Sequence, residues 1–308
     1  MSSSLFYSKI LLFGEYGILK NSRGISIPYH MYKGFLSLGD ISNIKVKKSN
    51  NILIDFYKYL NSNTIKNKFN LKQFKSDIQS GLYFESSIPI GYGIGSSGAL
   101  VAALYDKYFI KKVSTLKNIE TKNFFLLKNT FSIMESFFHG ESSGLDPLNS
   151  YLNSPILINS KKEIINIKTL SKNNNGNRGF FLIDSGISSN TENSVGQFLK
   201  AMKNKSFEKV FEDKFIDLND KCVEFFINGN YKNLEICIKK LSRIVFDNFK
   251  MVIPNKFYEV WERGLKSENY FLKLCGSGGG GFILGFSKDL KKTELLLNKY
   301  NFKIVYRF

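Results

Sequence analysis

The chain has 308 residues, 43% hydrophobic and 15% aromatic, enough apolar material for one large buried core or two ordinary ones. Its formal charge of +18 lies almost wholly in lysines scattered along the sequence, without the interleaved arginines and aromatics of a readout surface. A solvated surface is therefore the plainer reading, and a basic nucleic-acid-binding protein the rival to an enzyme. No apolar run reaches about 18 residues and the opening MSSSLFYSKILLFGEYG is broken by charge and glycine, which argues against a membrane span and a secretion signal. Cys222, Cys237 and Cys275 fit neither a metal spacing nor a disulfide framework and point to a reducing cytoplasm.

In chain order, residues 5–19 read as a strand, a Gly-Glu turn and a second apolar segment. Alternating stretches follow at 34–38 and 44–56, then a polar, lysine-rich region to about residue 80. GLYFESSIPI, 81–90, reads as a strand that Pro89 ends. From Ser97 the apolar residues fall at helical spacing, and a second helix is expected over 121–138. PILIN and EIINIKTL are strand-like, and SKNNNGNRG, 171–179, has the composition of a linker. GFFLIDSG opens a new strand, 191–250 is mostly helical, and the tail reads strand, glycine loop, strand, helix, strand. Strands and helices mix without strict alternation, which favours an α+β chain of two domains.

The densest glycine stretch is IPIGYGIGSSGALVAAL, residues 88–104. Its GxGxxG is weak support for a dinucleotide site, because no acidic residue ends a following strand about 20 residues on. No lysine follows the last glycine, so the Walker pattern is absent. What remains is a bare backbone at a helix start, where N–H groups and the helix dipole attract an anion. Ser96 and Ser97 could add hydroxyls to a phosphate or its magnesium ion, or Ser97 could be a plain N-cap.

KILLFGE (9–15), GYGIGSSG (91–98) and CGSGGGG (275–281), in that order, resemble the three motifs of the GHMP kinase superfamily. Of the middle motif PxGxGLGSSAA, Pro89, Gly91, Gly93, Gly95, Ser96, Ser97 and Ala99 match, with Ile94 for Leu and Gly98 for the first Ala. The resemblance spans nearly the whole chain. It implies the two-domain GHMP kinase fold, a ribosomal S5 domain 2-like ATP-binding domain over 1–172 and a ferredoxin-like domain over 173–308. It also implies ATP and Mg2+, with the phosphates on Gly91, Gly93, Gly95, Ser96, Ser97 and Gly98.

ESFFHGESSGLD, 135–146, is similar to the mevalonate kinase form HGxxSGxD preceded by a glutamate. By that resemblance Ser97 and Glu135 hold magnesium, Asp146 sits at the substrate hydroxyl and Lys9 stands beside it. Asp146 also suits an N-cap with Pro147 at the first helical position, and His139 either positions substrate or is a satisfied polar residue at a helix end. Thr191, in NTxxxV, matches the threonine brought to the substrate and equally suits an N-cap. By the same resemblance Glu15, Gly276 and Ser277 would complete the acceptor side. Tyr16 stands where mevalonate kinases carry histidine, and GEYGIL is closer there to phosphomevalonate kinases. The expected substrate is mevalonate or a related anionic alcohol, with phosphomevalonate the alternative; a homodimer stays open.

Overall fold

The computed structural model describes residues 4–113, 121–160, 163–167 and 175–308. The chain folds as two compact units, one from Met1–Lys9, Pro28–Pro89 and Gly95–Ser154, the other from Ile10–Ile27, Ile90–Ile94 and Pro155–Phe308. This division differs from a single cut after residue 172 because strands β1 (Phe6–Phe13) and β2 (Gly24–Leu38) each run from one unit into the other. Of the expected linker, residues 171–174 lie outside the described residues.

In the first unit the chain order continues with α1 (Ile44–Ser62), α2 (Leu71–Gln79), β3 (Leu82–Ser86), α3 (Ser96–Tyr108), α4 (Thr121–His139) and α5 (Leu145–Leu152). The second half of β2 pairs antiparallel with β3, Gly34 opposite Ser86 and Leu38 opposite Leu82. The alternation at 44–56 is corrected: the segment is helical. Only IKVKK alternates, whereas the buried residues Val46, Asn50, Leu53, Phe56 and Leu60 recur every three or four positions, and Asn43 caps the helix by accepting from the Lys45 amide. α3 is buried continuously from Gly98 to Tyr105, as expected of a helix apolar on all sides. Tyr105, in the last turn of α3, packs edge-on to Phe131 of α4 and Tyr151 of α5, which ties the three helices together there.

In the second unit, β4 (Ile156–Ser160) pairs with the first residues of β2 and with β5 (Glu163–Asn166). There follow β6 (Gly179–Asp184), α6 (Thr191–Ala201), α7 (Lys205–Val210), α8 (Ile216–Ile227), α9 (Tyr231–Asn248) and α10 (Tyr258–Ser267). The tail supplies β7 (Tyr270–Leu274), β8 (Phe282–Ser287), α11 (Leu290–Leu297) and β9 (Lys303–Arg307), as its pattern implied. The antiparallel sheet has the order β7-β8-β6-β9. With helices between β6 and β7 and between β8 and β9, this is the ferredoxin-like arrangement. β7 and β8 are buried at every position, so they read as apolar runs and not as alternations. Phe180 at the sheet centre meets Phe13, Phe226 and Phe286 in T-shaped pairs. Among the described residues no helix is long and apolar enough to cross a membrane.

Candidate active site

In the first unit, α3 starts at a glycine because nothing else fits. Gly95 is its N-cap, with φ of 79°, and a Cβ there would lie 3.0 Å from the Lys9 side chain. Ser96 and Ser97 are thus the first two helical residues, and the N-cap reading of Ser97 is corrected. The Ser97 hydroxyl turns to α4, where Oγ is 3.0 Å from His139 Nε2 and 3.4 Å from Glu135 Oε1. Glu135 and His139 are four residues apart and share one helix face.

Glu135 is 3% exposed, and its Oε2 accepts a hydrogen bond of 2.5 Å from Ser142 Oγ. Burial, then the charge of Asp146, push its carboxyl up to about 8, against the opposing pull of the Ser142 bond and Lys9. Ser142 was not anticipated. Its signal in the sequence is the serine beside the matched Ser143, and it is itself fixed by the Gly144 amide at 3.1 Å.

Asp146 is the second residue of α5; the N-cap is Gly144, in a left-handed conformation, so Asp146 is not the cap and Pro147 is not at the first position. The helix begins earlier than the proline suggested because the glycine makes the turn. Freed from capping, the Asp146 carboxylate accepts from Lys9 Nζ at 2.9 Å, with Asp146 36% exposed and Lys9 only 7%. The ammonium of β1 is thus buried behind a carboxylate that remains open to a reactant. A Cβ on Gly98 would lie 2.8 Å from the Asp146 carbonyl carbon and the Pro147 nitrogen, so α3 and α5 meet there backbone to backbone.

These residues fit a magnesium ion. Ser97 Oγ and Glu135 Oε1 are hard oxygen donors 3.4 Å apart, and a carboxyl that burial pushes upward is one whose charge a cation would stabilise. Among the described residues no group of three or more His, Cys, Asp or Glu could hold a metal ion.

In the second unit Gly91 lies against Ser188 and Ser189 and Gly93 against the Cys275 carbonyl, with the Ser189 amide donating to Gly91 O at 2.8 Å. Glu15 is buried and paired with the equally buried Lys273 of β7, which also sits over the Phe13 ring at 5.4 Å. Lys273 was not singled out because one lysine among many has no sequence signal. Its mark is an ammonium in the middle of the run YFLKL. Asn219 was missed too: its side chain accepts from the Gly14 amide at 2.8 Å and donates to Arg23 O at 2.7 Å, holding the turn that carries Glu15 and Tyr16.

Tyr16 is buried, with φ of 56°, its ring stacked on Phe198 at 4.2 Å. Its hydroxyl donates to Ser277 O at 2.5 Å, with Ser194 O at 3.4 Å, so it braces the 276–281 loop from behind. Burial and the charge of Glu15 hold its phenol well above the ordinary tyrosine range, so it stays a donor. Tyr16→Phe should therefore cost about 1–2 kcal/mol of stability, read as a lowered urea midpoint at unchanged slope; an unchanged midpoint would show the bond to be dispensable. Thr191 opens α6 and is exposed, with Asn190 as the N-cap accepting from the Asn193 amide at 3.1 Å, so the capping role expected of Thr191 falls to its neighbour.

No protein-family model and no curated protein matches the chain in sequence. Solved structures do match it over nearly their whole length. Methanococcus jannaschii mevalonate kinase matches at 20% identity and a TM-score of 0.62, covering 98% of this chain and 96% of that one. Streptococcus pneumoniae phosphomevalonate kinase, in complex with phosphomevalonate and AMPPNP, matches at 13% and 0.61, covering 100% and 99%. Lactococcus lactis galactokinase, complexed with galactose, matches at 13% and 0.63, covering 99% and 94%. With its antiparallel sheets and interleaved helices, the chain has the two-domain α+β fold of the GHMP kinases.

Proposed function

We propose that this protein is an ATP-dependent kinase that transfers the γ-phosphoryl group to the primary hydroxyl of mevalonate. The observation that carries the reading is the Lys9–Asp146 pair, a half-open carboxylate backed by a buried ammonium beside the start of α3. Loop 91–98 and the N-terminus of α3 receive the phosphates, where backbone N–H groups and the helix dipole favour negative charge. Ser97 and Glu135 hold magnesium, which when bound supplies positive charge to the phosphate oxygens.

The acceptor hydroxyl hydrogen-bonds to Asp146. Its oxygen forms the new bond to the γ-phosphorus as the bond to the β-bridging oxygen breaks, ADP departs, and the hydroxyl proton passes to Asp146. Lys9 keeps the Asp146 carboxylate aimed and offsets charge on the transferred group. Little covalent work falls on the protein, so positioning and electrostatics supply most of the acceleration. In the second unit Thr191 is exposed and Gly276 half-buried, whereas Glu15 and Tyr16 are buried and bound to Lys273 and to the Ser277 carbonyl.

GEYGIL at 14–19 favours phosphomevalonate as the second reading, and the form of 135–146 favours mevalonate. A coupled ADP-release assay with mevalonate, phosphomevalonate, homoserine and galactose in parallel separates them. Mevalonate is expected to give the highest kcat/KM. Turnover of none of the four, or a large preference for phosphomevalonate, overturns the acceptor assignment.

A further inference from the structure

The Ser97 hydroxyl has one proton and two neighbours that could take it. His139 Nε2 stands at 3.0 Å and Glu135 Oε1 at 3.4 Å, and with the imidazole proton on Nδ1 the histidine is the nearer acceptor. Glu135 Oε2 is already held by Ser142, so Oε1 is the edge of a buried carboxylate that faces the Ser97 oxygen. With Glu135 ionised, as it would be beside a bound cation, a Ser97 proton directed at His139 leaves lone pairs of both oxygens facing the space between them.

We propose that His139 is a positioning residue for the metal: by accepting the Ser97 proton it turns the hydroxyl lone pairs towards Glu135 Oε1 and makes Ser97 a cation ligand. The inference rests on the kinase reading and adds a residue that touches neither substrate nor metal. The helix explains the placement, because α4 carries Glu135 and His139 one turn apart and so fixes the ligand and the residue that orients its partner together. A neutral imidazole with its proton on Nδ1 presents Nε2 as an acceptor, and groups outside the ligand shell commonly set ligand orientation in this way. Magnesium demands near-ideal placement of its oxygens, so a free-spinning serine hydroxyl is a poor ligand and an oriented one a good one.

A merely structural histidine at a helix end would act on folding and not through Ser97. The test measures Mn2+ binding by electron paramagnetic resonance to the full chain with AMPPNP present. His139→Leu, which removes the acceptor, should weaken Mn2+ binding about 10-fold, in the range found for outer-shell partners. His139→Gln, whose amide oxygen reaches about where Nε2 lies, should restore it to within about three-fold of wild type. Ser97→Ala should weaken binding as well, and adding His139→Leu to it should change nothing further, because the histidine acts only through that hydroxyl. An unaltered Mn2+ affinity in folded His139→Leu, or a second loss in the Ser97→Ala background, overturns the inference and leaves the kinase reading standing. A wild-type protein that binds no Mn2+ with AMPPNP overturns both.

Discussion

Asp146→Asn is expected to lower kcat by about 100-fold or more at saturating ATP and acceptor, the span covered by removal of a general base. The substitution is close to isosteric, and the amide oxygen can still accept from Lys9 Nζ, which lies 2.9 Å from Oδ1 in the native pair. Folding stability should therefore change little, and the loss should appear in turnover more than in KM for either substrate. Asp146→Ala separates the two roles. It leaves the Lys9 ammonium, 7% exposed, without its carboxylate, so it should add a stability loss of about 1–3 kcal/mol to the same loss of rate. Steady-state kinetics beside urea unfolding reads both quantities. Full turnover by Asp146→Asn would remove the residue from the chemistry.

Gly98→Ala should be damaging even though it moves the sequence towards the motif it resembles. In an isolated helix alanine is favoured over glycine by about 1 kcal/mol, so propensity alone predicts a gain. The structure predicts the reverse: the new Cβ would lie 2.8 Å from the Asp146 carbonyl carbon and the Pro147 nitrogen, both backbone atoms of α5. Neither can rotate away as a side-chain tip would. The first turn of α5 must retreat, at a cost of about 1–3 kcal/mol, and the Asp146 carboxylate goes with it. A fall in kcat of about 10-fold or more is expected, since small misplacements of a reacting group cost rate steeply. A variant with higher melting temperature and native turnover would show that α3 and α5 can separate at no cost.

Much of this could be read before any coordinates. Periodicity gave α3 and α4, and apolar runs bounded by glycine gave the strands of the tail. The alternation at 44–56 misled because IKVKK happens to alternate while the burial that decides the matter, Val46 to Leu60, is helical and set by packing. The capping readings of Ser97, Asp146 and Thr191 failed for a shared reason. In each case the residue just before the helix, Gly95, Gly144 or Asn190, makes the turn, and sequence rules for helix starts are loose by a residue or two.

The candidate site was legible where a motif fixed it and silent where only space does. Ser97, Glu135, His139 and Asp146 stand in two short motifs, and the structure brings them together with Lys9, 137 positions from Asp146 in the sequence. Lys273 and Asn219 have no pattern, since their partners are Glu15 and the 14–23 turn, more than 190 residues distant. Tyr16 looked like a substituted substrate contact. Its hydroxyl is instead used up on the carbonyl of Ser277, a role that no single-residue comparison with a histidine would disclose.

The interleaving of the two units bears on how the chain can be cut, copied or transplanted. The second unit needs residues 10–27, which bring Phe13 to Phe180 and Gly14 to Asn219, as well as 155–308. The shortest unbroken stretch of sequence that contains all of it is 10–308, nearly the whole protein. The unit is therefore an object of packing and not of sequence. A gene fragment cannot carry it alone, and ribosomes deliver its first segment, 10–27, before all of the other unit except residues 1–9, and must wait for the last strand to close it.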